Sequence, residues 1–170
     1  RYLRALAGAA EEGGLPEPLV MLSSGGVATV DEAAAHPAAI LVSGPAAGVV
    51  DAGLVARRAG FENAIAFDMG GTSTDVCLLP GGRAARVAER VVAGLPIRLP
   101  TVDLHTVGAG GGSLARGDAG GAIRVGPESA GAQPGPACYG MGGGATVTDA
   151  NLLLGRLPAQ LPGGLVLGRD

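Results

Sequence analysis

A mixed α/β domain with helices packed on a sheet is the fold class this sequence predicts, and three observations carry that prediction. Residues 2–59 alternate short apolar runs with alanine-rich helical stretches, residues 64–98 read as hairpin strands, and the remainder is glycine-rich loop. At 170 residues the chain fits one domain with a real core, and its high apolar and modest charged content rule out disorder.

The elements follow in order. Tyr2–Glu12 is an Ala/Leu helix, ended by Gly13-Gly14 and followed by Pro16 and Pro18. Residues 1–18 are therefore a connecting helix and linker, and 19–170 the domain. Leu19–Leu22 is a compact strand stopped by Ser23-Ser24-Gly25-Gly26. Thr29 and Glu32 have the spacing of a capping box, starting a helix that ends before Pro37. Ala39–Val42 reads as the next strand. Ser43 then suits the N-cap, and Pro45 the first turn, of a helix running to about Ala59. Ile65–Phe67 is a strand whose return begins at Val76. Residues 86–98 suggest one or two strands bent at Gly94-Leu95-Pro96. Ile123 opens a strand and a long loop through Tyr139, with Glu128, Ser129, Gln133 and Cys138 as polar content. Asp149 is expected as N-cap of a last helix, Ala150–Leu154, ending at Gly155.

Composition excludes several chemistries. There is no lysine, so neither a P-loop nor a Schiff base is available, and any bound phosphate must rely on backbone N–H groups, arginine and a metal. A net charge of -3 and only four aromatics argue against a nucleic-acid partner. No apolar run reaches the roughly 20 residues of a membrane span. The chain opens on Arg1 rather than methionine, which suggests a piece excised from a longer protein or a processed chain, and no signal-peptide pattern follows. Cys77 and Cys138 form neither a disulfide framework nor a CxxC pattern, and Cys77 reads as a small core residue. A reducing cytoplasm is the simplest setting.

The most informative stretch is Ala64-Ile-Ala-Phe-Asp-Met-Gly-Gly-Thr-Ser-Thr-Asp-Val76. An apolar run delivers Asp68 to its end, and glycines and hydroxyls fill the turn. Gly70 and Gly71 let the backbone approach a ligand closely. Their N–H groups, with Thr72, Ser73 and Thr74, could wrap an anionic oxygen. Asp68 cannot hold phosphate directly, but it can hold the hydrated Mg2+ that carries one. The alternative is an ordinary hairpin in which Asp68 caps the loop. Further on, Gly108, Gly110, Gly111 and Gly112 expose backbone that could meet a nucleotide or substrate, above all if a helix begins there. A flexible surface loop is the other reading. Asp103 and His105, at i and i+2, share a strand face and could form a metal or acid/base site with Cys138 or Asp149.

Five motifs in fixed order resemble the hydantoinase A/oxoprolinase family: Ser43–Gly48, Phe67–Asp75, His105–Ser113, Val125–Gly140 and Thr146–Asn151. This ATP-dependent group includes 5-oxoprolinase, N-methylhydantoinase and acetone-carboxylase-type subunits. The resemblance implies an actin-like, ribonuclease-H-like ATPase fold with ATP and Mg2+ as cofactors. Asp68 would orient the metal, Gly70–Thr74 would hold phosphates, and Asp75 would brace the turn. It also implies a small cyclic amide as substrate, opened after phosphorylation of its oxygen. The remainder of the same chain and a hydantoinase B-type subunit are the implied partners. The first phosphate hairpin of such folds is absent here, so half of an ATP site is expected. Two alternatives stand: a carboxylase subunit acting on a ketone and bicarbonate, or a nucleotide-binding module without chemistry of its own.

Overall fold

The computed structural model describes residues 1–92 and 94–168; Ala93, inside the expected 86–98 strands, and residues 169–170, at the end of the expected domain, lie outside the described residues. The chain divides into two compact units, Arg1–Phe67 with Val76–His105, and Asp68–Asp75 with Thr106–Asp170.

The first unit opens with α1, Tyr2–Glu12, at its expected bounds. Gly13 stops it while its N–H still reaches Ala9 O at 3.0 Å. β1 (Val20–Met21) turns back at once into β2 (Val27–Ala28), an antiparallel pair whose turn uses the left-handed conformation of Gly25. The return strand was not legible, because two residues carry no periodicity. α2 (Val30–Ala35) begins at the expected capping box, with Glu32 N–H on Thr29 Oγ1 at 3.3 Å and Thr29 N–H on Glu32 Oε2 at 3.2 Å.

The strand expected over Ala39–Val42 does not form. Pro37–Ile40 is a 3-10 turn that leads into α3, Ser43–Arg58. Buried Ser23 decides this: its N–H bonds Ala39 O at 2.7 Å, and its Oγ accepts Val42 N–H at 3.1 Å. The segment's polar groups are satisfied by the backbone N–H and the hydroxyl of this one residue rather than by a strand ladder. The N-cap is consequently Val42, with Ser43 already helical, which corrects that expectation too. Ala46, Val49, Gly53 and Ala56 form the buried stripe of α3. The core joins Ala46 and Val49 to Ala66, Cys77, Leu79, Val102 and Leu104.

β3 (Ala64–Met69) and β4 (Thr74–Leu79) are the expected hairpin, joined in one three-stranded sheet by β9 (His105–Val107), with β4 central. The other strands form separate two-stranded ribbons rather than one mixed sheet. β5 (Arg86–Val87) pairs with β8 (Thr101–Val102), and β6 (Arg90–Val92) with β7 (Leu95–Ile97), both antiparallel. Pro96 lies within β7, opposite Val91, where a two-stranded ribbon leaves its missing N–H without consequence.

In the second unit β10 (Ser113–Gly117) and β11 (Ile123–Ser129) form an antiparallel ribbon with a register shift near Ser113. Cys138, Leu152 and Leu167 make a small core. α4 spans Val147–Leu153, starting earlier than expected: Thr146 is the N-cap and Asp149 sits three residues in, completing a second capping box. Among the described residues no helix is long and apolar enough to cross a membrane.

Candidate functional site

The second unit holds the turn between β3 and β4. Gly70 N–H bonds Ser73 O at 2.9 Å and closes the hairpin, leaving Gly71 and Thr72 at its tip. Asp68, Gly70, Gly71 and Thr72 are exposed and Ser73 is half-buried. Nothing stands within 4 Å of the position a Cβ would take on Gly71, so the tip faces open space. Among the described residues the N–H groups of Gly71, Thr72 and Ser73 have no protein partner. Donors without partners beside an exposed carboxylate suit an anion carried by a hard cation.

The hairpin is braced from one side by residues 109–113. Gly111 N–H donates to Gly70 O at 2.9 Å and Gly112 N–H to Gly71 O at 2.6 Å. Gly110 N–H goes to Ser113 Oγ at 2.8 Å, and Ser113 N–H returns to Gly110 O at 3.0 Å. Backbone therefore lies against backbone. A Cβ on Gly110 would stand 2.7 Å from Gly70 O and 2.8 Å from Gly71 O; one on Gly112 would stand 2.9 Å from Gly71 O. These glycines fit because any side chain would part the two loops. No helix begins in the stretch, and the N–H groups at 110–112 are consumed by the brace. Gly108 stands apart from this packing, with Pro127 Cβ 3.8 Å from its notional Cβ.

Two hydroxyls lock the arrangement. Thr74, 4% exposed, donates from Oγ1 to Ala109 O at 2.6 Å, which binds it to the brace and away from any ligand. Thr106 Oγ1 donates to Asp75 Oδ1 at 2.6 Å, which ties β4 to β9. Thr148 supports the loop from behind, with both N–H and Oγ1 on Gly111 O at 2.8 and 2.9 Å. Ser113, Thr106 and Thr148 were not singled out from sequence; nothing local marks them, since each acts through a partner at least three positions and up to 37 away.

The second candidate constellation draws its residues from both units. Asp103 and His105 belong to the first unit, where both are exposed and line a cleft with Val76, Leu78, Pro80 and Ala85. Cys138 and Asp149 are instead occupied with each other. Asp149 Oδ1 accepts Cys138 N–H at 2.7 Å, and its Oδ2 accepts Thr146 N–H at 2.7 Å and Thr146 Oγ1 at 2.8 Å. Burial alone would raise the Asp149 pKa, but the Cys138 and Thr146 donors outweigh it and hold the carboxyl below its ordinary value. Burial, then the Asp149 carboxylate, pushes the Cys138 thiol up to about 11. Burial and the Asp103 charge likewise raise Cys77, whose thiol donates to Asp103 O at 3.1 Å. Both are structural thiols. Among the described residues no group of three or more His, Cys, Asp or Glu could hold a metal ion.

With this geometry in hand, comparison with known proteins gives a consistent answer. The hydantoinase/oxoprolinase family profile matches residues 1–167. Caprolactamase subunit alpha of Pseudomonas jessenii is 43% identical over 175 residues, covering 100% of this chain and 25% of that protein. 5-Oxoprolinase 1 of Arabidopsis thaliana is 49% identical over 140 residues, covering 81% and 11% respectively. Among solved structures, nucleotide-free acetone carboxylase superposes with a TM-score of 0.77 at 34% identity, over 98% of this chain and 24% of that one. The chain thus spans a quarter or less of the length of these relatives.

Proposed function

Since the chain belongs to the hydantoinase/oxoprolinase family, we propose that it is part of an actin-like ATPase domain in an enzyme that uses ATP to open a small cyclic amide. The observation that carries the reading is the braced hairpin tip, with unpartnered N–H groups at 71–73 beside exposed Asp68. An amide carbonyl is a poor electrophile, and ATP would supply the phosphoryl group that makes its oxygen leave. The protein's share of such a transfer is positioning and charge neutralisation. Asp68 would hold the waters of a Mg2+ ion, while the N–H groups at 71–73 and the hydroxyls of Thr72 and Ser73 would receive the phosphates. Gly70 closes the turn, and Gly110–Gly112 and Thr74 keep its shape. Asp75 fixes β4 through Thr106. Gly108, at the mouth of this loop, is the glycine left to approach nucleotide or substrate. A relative named as a subunit fits an assembly, and we extend the proposal to a hydantoinase B-type partner and to the remainder of the same chain.

Mg-ATP turnover by the full-length protein tests this, with a panel of cyclic amides in one arm and ketones with bicarbonate in the other. Asp68→Asn is expected to lower turnover by about 10- to 100-fold, as loss of a group that orients a metal's ligands does. Undiminished turnover would overturn the assignment. ATP use coupled only to a ketone and bicarbonate would move the protein to the carboxylase branch, the second reading, with which the acetone carboxylase likeness is also compatible.

A further inference from the structure

We propose a second anion site in the first unit: a cleft of about 510 Å³ rimmed by Arg57, Arg83 and Arg86 that binds a small dianion bearing phosphate or carboxylate groups. Its residues all fall outside the hairpin unit. The size is within the range of small-molecule sites.

Charge is the first argument. Among the described residues no carboxylate lines the cleft. Arg4, Arg98, Arg116 and Arg124 each pair with an acidic side chain, whereas Arg57, Arg83 and Arg86 have no acidic partner among the described residues. In a chain of net charge -3, three unneutralised guanidinium groups around one concavity reverse the local sign. Each guanidinium presents a planar fork that matches phosphate or carboxylate oxygens two at a time.

Construction is the second argument. Arg57 does not wave free: its Nη1 donates to Gly82 O, which sets the fork across the floor and leaves its other N–H groups available. That floor exists because α3 meets the 80–83 turn backbone to backbone. A Cβ on Gly53 would stand 2.6 Å from Gly82 O, and one on Gly82 would stand 2.5 Å from Arg57 Cγ. Elsewhere in the lining a Cβ on Gly25 would press to 3.0 Å from Val50 Cγ2. Gly25 and Gly82 also hold left-handed backbone, so both conformation and space call for glycine. Arg86 is placed by register: it stands opposite Val102, itself buried in the cleft wall.

Isothermal titration of the full-length protein with inorganic phosphate and, separately, succinate tests the site. Ionic strength is held constant so that screening does not change. Saturable binding of at least one is expected, and Arg83→Gln or Arg86→Gln should each weaken it about tenfold, the loss expected for charge-assisted hydrogen bonds. Phosphate alone would identify a phosphate-bearing ligand, succinate alone a dicarboxylate. The double variant Thr72→Ala/Ser73→Ala separates this event from the nucleotide hairpin and should leave it unchanged. Equal affinity in the Arg83→Gln/Arg86→Gln protein, loss of binding in the hairpin variant, or no binding of either anion at millimolar concentration would overturn the proposal.

Discussion

Replacing Gly110 with alanine should separate the hairpin from its brace. The added Cβ would lie 2.7 Å from Gly70 O and 2.8 Å from both the carbonyl carbon and oxygen of Gly71. All three are backbone atoms, so no rotamer change relieves the contact. Overpacking of this kind costs about 1–3 kcal/mol. The same displacement stretches the Gly111–Gly70 and Gly112–Gly71 hydrogen bonds, each contributing about 0.5–1.5 kcal/mol. The loss is then about 2–6 kcal/mol, and at about 1.4 kcal/mol per factor of ten the loop opens at least roughly 30-fold more often. Hydrogen exchange of the peptide covering 108–117 in the full-length protein reads that opening directly. Gly108→Ala is the control, because its Cβ meets only Pro127 at an ordinary 3.8 Å. Gly110→Ala should speed exchange by at least about 30-fold while Gly108→Ala stays within about threefold of wild type. Equal exchange in the two variants would refute the backbone-contact argument.

Other perturbations address separate parts of the second unit. Thr74→Val removes the buried hydroxyl that Ala109 O accepts and should cost about 1–3 kcal/mol in denaturant unfolding, with Thr74→Ser restoring most of it; a silent Thr74→Val would mean the bond is idle. Asp149, whose folded pKa is depressed, contributes stability above its unfolded pKa of about 3.9 and loses it as pH falls through the lower folded value. Asp149→Asn should therefore be less stable than wild type at pH 6 and converge with it in acid, and a constant gap down to pH 2 would contradict this. Cys138, pushed up to about 11, should resist iodoacetamide at pH 8 until the protein is unfolded; rapid native labelling would show an open, activated thiol instead.

What could be read from the chain alone is local. The Thr29/Glu32 capping box, the glycine stop after Glu12 and the hairpin around Asp68 all formed as expected, because their partners lie within a few residues. The hairpin tip, as the candidate site, was legible for the same reason: acid, glycines and hydroxyls are contiguous in sequence. The strand expected over Ala39–Val42 failed for the opposite reason, since Ser23, about twenty positions upstream, competes for its polar groups. α4 was placed late because Thr146 and Asp149 are both good capping residues and only the backbone assigns one to each position.

By itself, then, the sequence determined where α1 stops, where α2 starts and which turn is rich in backbone donors, since a cap or a tight turn is settled by neighbours along the chain. Only the tertiary structure brought the glycines at 110–112 against the hairpin. A missing side chain is equally compatible with touching a ligand and with touching another strand of backbone. The carbonyls of Gly70 and Gly71, some forty residues away in sequence, lie against them, a contact that no local pattern announces.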